Sequence, residues 1–563
     1  MKIRLMLMIL LTVSSLFAQL DEREILFKRA TRYRTQQQYE KAAETFSEIL
    51  KIYPADEEVI EQFTMLLIQT KQTKRAEKLL TTHKKSISKV SYTNLQINIM
   101  LSKGQIKKAK NIAFEYLNGN IRINDYQKLF STFEFFKESG IAVQIIDKVR
   151  IIANDHFLFA REKARIQKSL NNLELAIIEY LKVAENKWQY ANFALSRLRS
   201  ILLENVDLIE VVEEYSRQTD NQKIHEIYAQ CLGDLGFYEK AILEYNNLPI
   251  ADLKRFAARQ YSIENLVYAK KAYTQYIEKI GDQVEIANAK IIIAKIEMRQ
   301  NNFIVAKRIL TEIENNATIK NKKFRYKTRA NSKCRELLAE IEQITGGAKY
   351  IQYLQDAKNF SFNDNDKKKL DLKIVYHQLL NENYEQATYQ LASVLDGESE
   401  NSEIYKASIY NSYLMAVFQN NPDADSLLTE FILNSANDER TNDLLYLSTF
   451  LENFQDEENR QIFLKAYRKK LLFQDEEALD ILQQLYENLK NEELLILAGD
   501  WAFESKDYEL AKKMFDAEFL DVVLQNYAKL KLAEFDKNIC KIFLEKNQDS
   551  VFLPNFRKLL EEK

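Results

Sequence analysis

Residues 30–54 run ATRYRTQQQYEKAAETFSEILKIYP, and this stretch decides the fold. Ala30 is followed by Tyr33, and Tyr39, Ala42 and Phe46 come next at +6, +3 and +4. Pro54 follows eight residues later. Residues three or four apart share a helix face, so Ala30 and Tyr33 sit together on one helix and Ala42 and Phe46 on another. The polar run Arg34 to Gln38 between them suits a turn. Small residues let two helices approach closely, and aromatic rings fill the space beside them. Pro54 stops the second helix. The stretch therefore reads as a helical hairpin that cannot bury its apolar face alone.

The same alanine recurs along the chain. Ala42, Ala76, Ala109, Ala142 and Ala176 are separated by 34, 33, 33 and 34 residues. Ala241 and Ala306 continue the phase at two-period steps, with Val211 and Ala272 expected as the intermediates. The ladder reappears as Ala229, Leu232, Tyr238, Ala241 and Tyr245, and again as Gly499, Ala502, Tyr508, Ala511 and Phe515. Ala387 belongs to a further unit with Tyr384 and Leu391. These residues resemble the tetratricopeptide repeat (TPR) family, whose signature is a 34-residue helix–turn–helix with small and aromatic positions. The resemblance implies an all-α, TPR-like α-solenoid, a right-handed superhelix of helix–turn–helix repeats, here in two parts. It also identifies the chain as similar to exported bacterial TPR proteins.

Composition agrees with that reading. The 563 residues include 10 Gly and 4 Pro, about 2.5% where roughly 12% is usual. Sandwiches, barrels and propellers need those residues at turn after turn, and nucleotide folds need glycine-rich loops. The balance of 80 Lys+Arg against 82 Asp+Glu leaves a net charge of −2, which argues against a generic nucleic-acid binder.

Lys2 and Arg4 precede an uncharged run from Leu5 to Ala18. That length suits a secretory h-region and falls short of the roughly 20 residues of a membrane span. We expect a signal peptide over 1–18, cleaved after Ala18 or after Ser15, and no membrane span in the mature chain. Residues 19–318 are expected to form an N-terminal TPR-like solenoid. Residues 319–366 form an irregular helical junction with a basic run from Lys320 to Arg335, read chiefly as a solvated helix face. Residues 367–563 carry C-terminal TPR-like repeats with capping helices, interrupted at Pro554.

A search for chemistry finds no motif. The histidines at 83, 156, 225 and 377 lack metal-ligand spacing, and Cys231, Cys334 and Cys540 lack any C-x-x-C. We expect no catalytic residue, no metal and no cofactor. The TPR resemblance implies that the first helices line a concave face. Candidate binding residues there are Glu24, Phe27, Thr31 and Arg34 in the first unit and Lys223, Glu226 and Gln230 in the Ala241 unit. Phe27 and Thr31 stand where carboxylate-clamping members of the family carry Lys and Asn, and packing of Phe27 against its neighbours competes with an anchor role. The expected function is a non-catalytic protein–protein interaction scaffold of the bacterial cell envelope, periplasmic or associated with the outer membrane, binding envelope proteins or peptides. The rivals are a cell-wall (peptidoglycan) enzyme with a helical superhelix body and a self-assembling structural envelope component.

Overall fold

The computed structural model describes residues 22–119, 122–321, 325–547 and 550–561. The targeting segment expected over 1–18 lies outside the described residues. Among these residues every regular element is helical. Two compact units divide the chain, residues 1–253 and 254–563.

The first unit opens with a helix over 22–35 that turns into Tyr39–Ile52. Pro54 lies just past the end of that second helix, as the sequence predicts. Further pairs follow, among them Glu57–Gln69 with Thr73–Thr82, Ile123–Phe135 with Ser139–Ala153, and Ala160–Ser169 with Leu173–Asn186. The second unit repeats the scheme, for instance Gln283–Arg299 with Phe303–Asn315 and Glu492–Glu504 with Tyr508–Phe515. The architecture is an all-α solenoid of TPR-like hairpins.

One turn geometry sets the phase. Gln37, Lys71, Gly104, Lys137, Asn171, Gly236, Glu264, Asn301, Glu382, Phe473 and Lys506 all have left-handed backbone, with φ from +59° to +83°. In each case the following N–H donates to the carbonyl five residues earlier, for example Gln38 to Tyr33 at 2.9 Å and Gln72 to Leu67 at 2.7 Å. This is the bond that ends a helix in a Schellman motif. Here the residue that donates it also opens the next helix. Five residues beyond each left-handed residue stands an alanine: Ala42, Ala76, Ala109, Ala142, Ala176, Ala241, Ala269, Ala306, Ala387, Ala478 and Ala511. All eleven are 0% exposed. A larger side chain there would hold the two helices apart.

The turns correct two sequence assignments. Val211 is half-buried, whereas Val212 is 0% exposed and takes the fourth position of Ile209–Arg217, where the alanine sits elsewhere. The 3-10 turn Val206–Leu208 precedes that helix and displaces the even spacing. Ala272 is buried, but the phased position belongs to Ala269, five residues after the left-handed Glu264. In the hairpin of Ser139–Ala153 the turn residue is Lys137, and Gly140 lies inside the helix.

Of the remaining repeat positions, Ala30 and Ala229 are 0% exposed, and Phe46, Tyr245 and Phe515 are buried beside the alanines. Tyr33 and Tyr39 pack half-buried against the first core, whereas Tyr508 is 44% exposed. Tyr238 opens the helix Tyr238–Tyr245. Gly499 lies against Phe515: a Cβ there would stand 2.6 Å from Cε1 of the ring.

Residues 319–366 carry the helices Arg325–Ile344 and Tyr350–Asn359, packed on each other. Farther on, Phe450, Phe454, Phe463 and Tyr467 lie with ring centroids 4.7–6.1 Å apart in succession. Large rings fill the layer there. Pro554 does not interrupt a helix. It is the second residue of Leu553–Glu561, in the first turn, where its missing N–H costs no bond. Phe556 of that helix stacks on Phe543 at 3.9 Å.

Candidate functional site

The first-helix residues singled out by sequence fall into two separate clusters. Glu24 is exposed and pairs with Lys28 at 2.5 Å. Phe27 meets Phe46 edge-on at 6.1 Å, and the Arg23 guanidinium lies 4.7 Å from its ring. It is packed on the first core. Thr31 is half-buried, and its carbonyl accepts from the Thr35 hydroxyl at 2.9 Å. Arg34 donates through Nη1 to Oε1 of Gln62 in the next first helix. In the second cluster the Glu226 carboxylate accepts from Lys223 at 2.5 Å and from Gln230 at 2.9 Å.

Contacts one repeat apart tie neighbouring hairpins together. Arg23 bridges Asp56 and Glu58, each at 2.7 Å. Asp56 also caps Glu57–Gln69 by accepting from the Val59 N–H at 3.1 Å. Thr132 donates to Asn94 at 2.7 Å, and the Glu57 carboxylate accepts from Ser88 and Ser91 at 2.6 Å. The most enclosed pair joins Arg150 to Glu179. Two parallel bonds of 2.8 and 2.6 Å connect side chains that are 7% and 4% exposed. Arg150 also donates to the Leu158 carbonyl at 2.9 Å, and Lys163 and Lys182 each stand 3.4 Å from Glu179. Burial alone would raise the Glu179 pKa; the Arg150 bonds and charge outweigh it and hold the carboxyl below its ordinary value. Nothing in the local sequence marks this pair, because its partners lie 29 residues apart.

Asp500 behaves in the opposite way. Burial raises its pKa despite Lys531 at 3.4 Å and the Tyr527 hydroxyl at 3.1 Å. It is the one carboxyl among the described residues that is shifted upward.

The histidines take separate places. His83 bonds the Pro54 carbonyl at 2.8 Å and His225 the Thr219 carbonyl at 2.9 Å. His377 lies against Tyr350 with ring centroids 4.5 Å apart, and burial lowers its pKa. Cys231, Cys334 and Cys540 are buried free thiols. Burial pushes the Cys231 and Cys334 thiols up to about 12, so neither is a ready nucleophile. Among the described residues no cluster of His, Cys, Asp or Glu could hold a metal ion, and no helix is long and apolar enough to cross a membrane. Trp501 is buried beside Tyr467, with centroids 6.4 Å apart, whereas Trp188 is 79% exposed just before Ala191–Leu202.

The basic run is not uniformly solvated. Lys322 and Lys323 lie outside the described residues. Arg329 is exposed, but Arg335 is 93% buried, stacks 4.4 Å from the Phe360 ring centroid and reaches Glu314 at 3.3 Å. Beside it, a cleft of about 290 Å³ is lined by Arg329, Lys333, Phe360, Phe362 and Lys369 among others. In the first unit an open cleft of about 670 Å³ lies between the turns Asn171–Leu175 and Glu204–Leu208.

No family model matches the chain, and no curated protein matches it. Among solved structures the chain is similar to one described as "Structure of Naa15/Naa10 bound to HypK-THB", at 12% identity. That likeness covers 96% of this chain and 78% of the other, with a TM-score of 0.22. A score this low carries no argument, and the fold stands on the chain's own helices and turns.

Proposed function

We propose that this chain is a non-catalytic interaction scaffold of a cell envelope that binds a partner protein or an extended peptide on the surface of its first helices. The observation that carries the reading is how the side chains are used. The small and aromatic residues close the hairpins, and polar contacts one repeat apart join them, as in Arg23–Asp56 and Arg150–Glu179. What remains outward is a repeated series of mixed polar helix faces. Stacked repeats of this kind present long surfaces suited to extended partners.

Photo-crosslinking tests it. A photoreactive residue in place of Thr31 or Gln230 should give a discrete adduct with one partner, and a second helix position such as Glu44 should not. Absence of an adduct from every first-helix position would count against the scaffold. Export is part of the proposal and rests on residues 2–18. The purified protein should begin at Gln19, or at Leu16 if cleavage follows Ser15. An intact Met1 would sink the envelope assignment.

A further inference from the structure

The charges of three arginines bear on the Tyr180 phenol in the first unit. Arg161 and Arg165 come from Ala160–Ser169, and Arg197 comes from Ala191–Leu202. The guanidinium carbons of Arg161 and Arg197 lie 4.7 and 5.3 Å from the centroid of one ring, Phe193. That ring meets Tyr180 edge-on at 6.2 Å. Tyr180 is 4% exposed, and burial raises its pKa while the three arginines act in the other direction.

The three differ in what satisfies them. Arg165 is paired with the Glu134 carboxylate, and Glu162 also bears on it. Arg161 and Arg197 are exposed, and neither has an ion pair among the described residues. The Tyr180 hydroxyl likewise has no hydrogen-bond partner among the described residues. Elsewhere in this unit, three arginines that face the next repeat meet a carboxylate: Arg23 meets Asp56, Arg150 meets Glu179 and Arg199 meets Asp234. Here two like charges share one aromatic plate with no anion between them. Stacking on the ring fixes the planar forks in advance, so less side-chain freedom is lost when an oxyanion arrives.

We propose that Arg161, Arg197 and the Tyr180 hydroxyl form an oxyanion-binding site that takes the carboxylate or phosphate groups of an extended acidic peptide segment of a partner protein. The site deepens the scaffold reading and rests on it. The two guanidiniums would grip the oxyanion through paired N–H donors, and the phenol would add a third. Arg165 is already held by Glu134.

The test uses the full mature chain and fluorophore-labelled peptides: four glutamates flanked by Gly-Ser, the same peptide with glutamines, and the same with phosphoserines. By fluorescence polarisation at low salt, an anionic peptide should bind at least about tenfold more tightly than the glutamine peptide. Which anionic peptide is tighter tells carboxylate from phosphate. R161Q/R197Q should abolish the difference, and R29Q, which disturbs an exposed pair with Glu48, should keep it. R161K/R197K retains charge without the fork and should lose about threefold. Y180F, which removes one donor and keeps the packing, should lose a smaller part. Equal binding of all three peptides, or unchanged preference in R161Q/R197Q with an unchanged melting curve, would overturn the site. A crosslinked partner retained by R161Q/R197Q would refute this site while leaving the scaffold in place; a wild type that captures neither peptide nor partner would refute the scaffold itself.

Discussion

Gly499→Ala sets two well-known effects against each other at one atom. Gly499 lies within Glu492–Glu504, a helix interior, where alanine normally gains about 1 kcal/mol over glycine. Its missing Cβ would stand 2.6, 2.9 and 3.0 Å from Cε1, Cζ and Cδ1 of Phe515. Carbon atoms rest at about 3.5–4.0 Å, so three contacts would be too short by roughly 0.5–1 Å. Phe515 is 2% exposed and packed in the largest core of the second unit, so its ring has little room to retreat. Overpacking of this kind costs about 1–3 kcal/mol. The clash therefore at least cancels the propensity gain, and a net loss of up to about 2 kcal/mol is expected. A long repeat chain need not unfold as one unit, so hydrogen exchange on peptides covering 492–515 is the suitable assay. Protection there should fall in Gly499→Ala. In the Phe515→Leu background the same substitution should lose less or gain, since the ring is gone. Gly140→Ala is the control: nothing lies within 4 Å of its added Cβ and its φ is not positive, so it should be neutral or stabilising. Protection over 492–515 that rises in Gly499→Ala would refute the packing argument.

Three further outcomes follow from the same structure. Ala241 is 0% exposed at the closest approach of its hairpin, so Ala241→Leu should lower the local stability of residues 222–245 by about 1–3 kcal/mol by hydrogen exchange. Lys71 has left-handed backbone with φ +60°, and Lys71→Gly should stabilise its hairpin by roughly 1 kcal/mol, read as slower exchange over 57–82. Glu179→Gln leaves Arg150 buried without its charge partner and should cost about 3–5 kcal/mol, most of it restored in Arg150→Met/Glu179→Leu. Because the folded Glu179 pKa lies below its ordinary 4.5, its contribution is present above pH 4.5 and is lost as pH falls through the folded value. Wild type should therefore lose stability in acid more steeply than the double variant in urea titrations.

Much of the fold was legible because its signal is local. Ala42 and Phe46 share a face by spacing alone, and the near absence of Gly and Pro excludes most other architectures. The phase was harder to follow where the turn residue is neither Gly nor Asn. Lys71, Lys137 and Phe473 adopt a left-handed backbone that their side chains do not advertise; the hydrogen bond to the helix before them compels it. The left-handed Glu264 is equally unadvertised, so spacing alone points to Ala272 in place of Ala269, and the 3-10 turn Val206–Leu208 moves the buried position from Val211 to Val212. The buried half of the basic run was equally hidden, since only the ring of Phe360 shows that Arg335 is covered.

The sequence by itself determined the helical hairpin, its period and the residues that close each one, because those contacts lie within about 20 residues and repeat. Only the tertiary structure decided which charges meet. Arg150 finds Glu179 in the following hairpin, and Arg161 and Arg197 converge on Phe193 from different first helices. Pairing across a repeat depends on the angle at which hairpins stack. That angle is set by the summed shapes of the buried side chains and by no single motif.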